Sequence, residues 1–202
     1  MPQDVAIINT GVANTASVAA AMDRLGAVPR LTRSARDVER SELLVLPGVG
    51  AFSAGMSLLG DYDLITPLRE RIEAGTPTLC VCLGMQLLFE ASDESPGVAG
   101  LGVAPGAITE FPGVVQRPQF GWNIVEVGAV EERGYAYFAN SYRATGAPEG
   151  WLASWSEHGG PFLAAMRRGC VLACQFHPEL SGAWGRALLG AWLQRATLEV
   201  PC

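Results

Sequence analysis

This sequence has no long apolar run, no basic cluster, no repeat and only two histidines. Each lack excludes something. Its longest apolar runs are too short to span a bilayer, so no membrane attachment is expected. The start, Met1-Pro-Gln-Asp4, lacks a positive region followed by an apolar one, so no secretory leader is expected there. Basic residues number 14 against 20 acidic ones, for a net charge of −6, and no nucleic-acid footprint is present. There is no low-complexity segment and no linker, and 202 residues fit one domain, 1–202. Five cysteines, at 80, 82, 170, 174 and 202, make an odd set without a disulfide framework. That favours a reducing compartment and a cytoplasmic location. Neither Cys80-x-Cys82 nor Cys170-x-x-x-Cys174 has zinc spacing, so neither metal nor cofactor is expected.

What is present is apolar material in short pieces. Hydrophobic residues make up 49% of the chain. A chain of this size can bury ~70% of its unfolded surface. Short apolar runs at 5–9, 28–31, 43–46 and 77–82 predict strands. Between them, helical spacing starts at Thr15 and closes at Gly26, and again spans 63–74. Residues 83–91 read as a helix directly after the fourth strand. Strands alternating with helices predict an α/β fold: an open, mostly parallel sheet with helices on both faces. After residue 91, β-like runs at 103–111, 123–127, 135–138, 151–154, 162–166 and 171–176 lie close together between turn residues. They predict antiparallel strands added in the C-terminal half. A closing helix is predicted over 183–198, with its apolar positions on one face.

The junction of the fourth strand with its helix carries the chemistry. A strand entering a helix through a tight turn pushes the turn residue outward and aims the first helical N–H groups at the same spot. With cysteine or serine at the turn this is a nucleophile elbow, and here the turn residue is Cys82. The bland alternative is a buried structural cysteine. A second segment, Gln175-Phe-His177-Pro-Glu179, follows the last strand. Pro178 biases His177 to an extended conformation, in which residues two apart point the same way. Glu179 can then orient His177, and His177 can exchange a proton with Cys82. A third segment, Pro47-Gly-Val-Gly50, leaves the third strand at the same edge, where open α/β sheets bind ligands. It reads either as a plain turn or as an oxyanion site, with the N–H of Leu83 completing the latter. It lacks the lysine of a phosphate loop. From chemistry alone the expectation is cysteine-based acyl transfer.

With these residues in view, the sequence resembles the class I, triad-type glutamine amidotransferases. Within them it is similar to the glutaminase subunits of imidazole glycerol phosphate synthase, of histidine biosynthesis. The carrying stretches are Leu46-Pro-Gly-Val-Gly-Ala-Phe52, Cys82-Leu-Gly-Met-Gln-Leu-Leu-Phe89, Pro96-Gly-Val-x-Gly-Leu101, Gly121-Trp-Asn123, Tyr137-Phe-x-x-Ser-Tyr142 and Gln175-Phe-His-Pro-Glu179. The resemblance implies a flavodoxin-like fold. It implies Cys82 as nucleophile, His177 as base and acid, and Glu179 as orienter, with L-glutamine as substrate. Val49 and Leu83 match oxyanion donors. Gly50, Gln86, Glu94, Ser141 and Tyr142 match glutamine-binding positions. Asn14, Trp122, Tyr137 and Leu180 match the interface with a (β/α)8-barrel cyclase subunit, which receives the ammonia in a heterodimer. The resemblance implies no cofactor and no metal.

The chain also departs from the pattern. Cys80 stands where the family usually has glycine, and a second glycine is missing before Asn14. Asn140 stands for a common histidine, Gln119-Phe120 for His-Met, and Leu180 for a lysine that usually meets the cyclase. Two alternatives follow from these departures. One is a class I subunit serving a different synthase; the other is an impaired scaffold of the same fold.

Overall fold

The computed structural model of the chain describes residues 2–11 and 15–197. Its first half alternates as expected. β1 (Asp4–Ile8), α1 (Thr15–Arg24), β2 (Val28–Thr32), α2 (Ala35–Arg40) and β3 (Leu43–Gly48) come in turn. They are followed by α3 (Phe52–Asp61), α4 (Ile65–Glu73), β4 (Thr78–Cys82) and α5 (Leu83–Gln86). The second half is mostly strand: β5 (Phe89–Ser92), β6 (Ala104–Glu110), β7 (Gln119–Val125), β8 (Gly134–Asn140) and β9 (Tyr142–Arg143). β10 (Leu152–Glu157), β11 (Pro161–Arg168) and β12 (Val171–Cys174) complete it. A 3-10 turn, Pro178–Leu180, then leads to α6 (Gly182–Thr197).

Seven strands form the main sheet, in the order β10-β11-β12-β4-β3-β1-β2. The five from β12 to β2 are parallel; β10 and β11 are antiparallel. Helices cover both faces, so the central strands are apolar on both sides. In β1, Val5 and Ile7 face one core with Val18 and Met22 of α1 and Leu189 and Trp192 of α6. Ala6 and Ile8 face the opposite core, with Val38 of α2, Met56 and Leu59 of α3, and Leu68 and Ile72 of α4. The side-chain period of two in a strand is what splits the residues this way. Arg71 of α4 is a buried staple between strand ends: its guanidinium donates to Val38 O, Glu42 O, Pro77 O and Thr78 Oγ1. Burial pulls its pKa down to about 10, which still leaves it charged at neutral pH.

One expectation is corrected. The helix expected over 83–91 stops after one turn, and the chain enters β5, which pairs with β6 through Phe89 and Ala104. Leu87, Leu88 and Phe89 are all buried, so this stretch has no polar face to turn outward as a surface helix does. The added strands expected in the C-terminal half do pair antiparallel, β6 with β9, β7 with β8 and β10 with β11, while β5, a strand not expected, joins β6 in parallel. Helices α2 and α3 were not expected, because their sequence signals are weak. α2 buries only Val38, and α3 contains Gly55 and Gly60, which lower helix propensity. Gly55 serves close packing instead: a Cβ there would sit 3.1 to 3.2 Å from Leu87 and Leu83 side-chain atoms.

Candidate active site

Three loops meet at the carboxyl edge of β3, β4 and β12. β4 ends at Cys82 with φ 53 and ψ −109, a left-side conformation that a residue with a Cβ rarely adopts. Such strain persists only where the surroundings over-determine it. The next residues show how. Glycine at 84 lets the turn press on β3: a Cβ there would lie 2.1 Å from the Leu46 carbonyl oxygen. Gly48 of β3 receives Leu83 in return, with 2.8 Å between its hypothetical Cβ and Leu83 Cβ. Two glycines thus lock the elbow down from both sides. Gly84→Ala is therefore expected to destabilise the protein by about 3 kcal/mol. Thermal unfolding should fall by roughly 10 °C at this chain length. An unchanged melting temperature would show that the elbow has room to spare.

Cys82 is 7% exposed. Beside it stands the buried His177 ring. Its Nδ1 lies 2.9 Å from Glu179 Oε1, which leaves Nε2 for the thiol side. Both Cys82 and Glu179 hydrogen-bond the ring. Burial is the largest single influence on the imidazole and pulls its pKa down. The hydrogen bonds and charges of Cys82 and Glu179 together outweigh it and push the ring up to about 10. At neutral pH His177 therefore carries a proton that it can hand to a leaving group. The sequence placed these residues together for a partly different reason. His177 is extended, at φ −101 and ψ 93, but Pro178–Leu180 is a 3-10 turn. Glu179 reaches the ring by folding back through that turn, not by strand alternation.

The segment is pinned from outside as well. His177 N donates to Tyr137 O of β8 at 2.9 Å. Ser181 Oγ donates to His177 O at 2.6 Å and accepts from Tyr137 N at 3.0 Å. Sequence reasoning missed Ser181, which closes this clasp. It also gave no role to Gln175, whose Nε2 lies 3.8 Å from Cys82 Sγ. The available signal was its position: Gln175 precedes His177 by two residues and shares its direction in extended chain.

The other anticipated residues fall into two groups. Gln86 of α5 is 6% exposed, not solvated. Its Nε2 donates to Tyr142 O at 3.1 Å and Gln175 Oε1 at 3.0 Å. Ser141 O accepts from Phe111 N at 3.0 Å, and Asn140 Nδ2 donates to Tyr142 O at 3.0 Å. The 141–142 segment thus lies against the elbow helix. Glu94 is not a loose charge either: its Oε2 accepts from Phe52 N at 2.7 Å, at the start of α3. It thereby braces the chain just after Val49 and Gly50, the latter at φ 100. The interface group lies outside. Trp122 is 57% exposed and Leu180 41%. The Trp122 and Tyr137 rings meet edge to face at 6.2 Å, so they are surface aromatics of the β7–β8 hairpin, not core. Asn14 lies outside the described residues.

Cys80, Cys82 and Cys174 are free thiols, and Cys170 is disulfide-bonded, so the cysteine count alone does not fix the redox setting. Burial pushes Cys80 up to about 12, and burial, with Cys80 and Glu179 as neighbours, raises Cys174 well above its ordinary value. Both are protonated and inert at neutral pH. Among the described residues no group of three or more His, Cys, Asp or Glu is placed to hold a metal ion. Among them, too, no helix is long and apolar enough to cross a membrane.

An elbow cysteine, a protonated histidine and a buried carboxylate, at the edge of a parallel sheet, define a class of cysteine-dependent amide hydrolases. The chain belongs to the class I glutamine amidotransferases: the model of the family described as "Glutamine amidotransferase class-I" matches residues 6–189. Within that family the similarity runs to the HisH subunits of imidazole glycerol phosphate synthase. That of Geobacillus kaustophilus is 38% identical, over 96% of this chain and 97% of the relative. That of Mycolicibacterium paratuberculosis is 41% identical, over 96% and 98%. A chloroplastic imidazole glycerol phosphate synthase hisHF of Arabidopsis thaliana is 36% identical over 94% of this chain, which spans only 34% of that protein. Among solved structures, a crystal structure of glutamine amidotransferase shares the fold with a TM-score of 0.77 and 23% identity, covering 95% of this chain and 98% of that one.

Proposed function

We propose that this chain is the glutaminase subunit of an imidazole glycerol phosphate synthase in histidine biosynthesis, acting in the cytoplasm as one domain. Cys82 Sγ attacks the carboxamide carbon of L-glutamine. The resulting oxyanion is held by N–H groups at Val49 and Leu83. His177 gives its proton to the departing nitrogen, and ammonia leaves a glutamyl thioester on Cys82. Water then attacks the thioester carbon while His177 takes back a proton. Glutamate departs, and the protonated ring is restored. Glu179 holds the ring and balances its charge throughout. The substrate's other end is gripped around Gly50, Gln86, Glu94, Ser141 and Tyr142. One observation carries this reading: His177 is hydrogen-bonded to Cys82 on one side and to Glu179 on the other.

The ammonia passes to a (β/α)8-barrel cyclase partner seated on the face that includes Asn14, Trp122, Tyr137 and Leu180. Exposure of the Trp122 ring supports this, as does the clasp from Tyr137 to the His177 backbone, which ties that face to the site. The Arabidopsis relative carries a matching segment within a single longer polypeptide. Leu180 where lysine is usual does not exclude the partner, since an apolar residue 41% exposed suits a buried contact.

The test is co-purification followed by ammonia release. The chain should capture the cyclase subunit and hydrolyse glutamine slowly alone. It should work at least ~10-fold faster with the cyclase and a cyclase ligand, because completing an oxyanion site is typically worth that much or more. Equal turnover with and without the cyclase, or capture of a different synthase, would contradict the proposal.

A further inference from the structure

Gln175 is fully buried at the end of β12, and both ends of its amide are engaged. Its Oε1 accepts from Gln86 Nε2 at 3.0 Å, and its Nε2 donates to Cys82 Sγ at 3.8 Å. Gln86 Nε2 donates in parallel to Tyr142 O at 3.1 Å. A continuous run of hydrogen bonds thus joins the 141–142 backbone to the sulfur through two buried amides. The pair fixes the orientation of each amide: Gln175 Oε1 can only accept, so its Nε2 must turn to the sulfur. A donor aimed at the sulfur restrains its direction, and burial of the donating amide makes that contact count for more. His177 also hydrogen-bonds the sulfur and supplies the proton, so the two contacts divide the work.

We infer that Gln175 is a further catalytic residue, whose side-chain amide aims the Cys82 sulfur at the substrate carbonyl and links it to the glutamine-binding segment. This rests on the reading of Cys82 as nucleophile. Two variants separate its two contacts. Gln175→Glu keeps an acceptor for Gln86 but loses the donor to sulfur. Gln175→Met, similar in length, loses both.

The experiment is the inactivation kinetics of the full-length chain by a glutamine analogue carrying an electrophile. Both variants should show a maximal inactivation rate about tenfold lower, the change expected from losing one hydrogen bond to the reacting sulfur. The half-saturating analogue concentration should move by less than about threefold, because Gln86 still holds Tyr142 O. A merely structural role would do the reverse, weakening analogue binding with the maximal rate unchanged. That result, or full rates in either folded variant, overturns the inference. If wild type itself fails to react at Cys82, the nucleophile reading fails first.

A measurement on soluble wild type covers the case where neither variant folds. The Gln175 side-chain amide protons, followed by nitrogen-labelled NMR, should resonate apart from those of exposed Gln194. One of them should move upfield in Cys82→Ala, where the sulfur acceptor is gone. Unmoved resonances would show that no such hydrogen bond exists.

Discussion

Cys82→Ala is expected to abolish glutamine hydrolysis, by on the order of 10⁴-fold or more, with the fold intact. Nothing nearby can replace the sulfur. Cys80 and Cys174 are the other free thiols among the described residues, and burial holds both in the protonated, unreactive form. Alanine at 82 retains the strained backbone, because any Cβ at φ 53 meets the same crowding. Cys82→Gly relaxes it. The glycine variant should be equally dead yet more stable than the alanine variant by about 1 kcal/mol. That amounts to a difference in melting temperature of ~3 °C. Ammonia release and thermal melting on the three proteins check both halves. Residual turnover in Cys82→Ala would mean that another group carries the reaction. A glycine variant no more stable than the alanine one would mean that the elbow stores no strain.

Glu179→Gln has the next largest effect. The amide keeps the shape but withdraws the charge that helps raise the His177 pKa. A buried orienting carboxylate in such an arrangement is worth on the order of 10⁴-fold in turnover. Stability should change with pH as well, and its sign is fixed. The His177 pKa is raised from 6.5 to about 10 on folding. Its contribution is complete below ~6.5 and fades as pH climbs through about 10. Wild type should therefore exceed Glu179→Gln most clearly near pH 6, and the gap should narrow towards pH 10. Denaturant unfolding at both pH values, with turnover at pH 7, tests this. A gap that widens on raising the pH would show that the carboxylate does not stabilise the imidazolium.

The parallel core and the three loops at its edge were legible because each strand is a short apolar run and each loop carries its own mark. Glycines at 48 and 84, proline at 178 and the order Cys82, His177, Glu179 are local features, and local features survive in sequence. What was not legible depends on distant neighbours. Leu87, Leu88 and Phe89 look helical by composition but are drawn into β5 by pairing with Ala104. Glu94 gave no hint that it would brace Phe52, forty-two residues earlier in the chain. Gln175 stood inside a recognised motif, yet its link to Gln86 spans 89 residues, a pairing that local spacing does not encode. The 3-10 turn at Pro178–Leu180 shows the same limit at short range, since the correct pair was found through the wrong backbone geometry.

One thiol, poised by an imidazole between sulfur and carboxylate, is held to do the chemistry here. The most direct check is mass spectrometry of the intact chain after exposure to an electrophilic glutamine analogue, with the modified peptide sequenced. One adduct should form, on Cys82, and free glutamine should protect against it. An adduct on any other residue, or none at all in a protein that still releases ammonia from glutamine, would contradict the account.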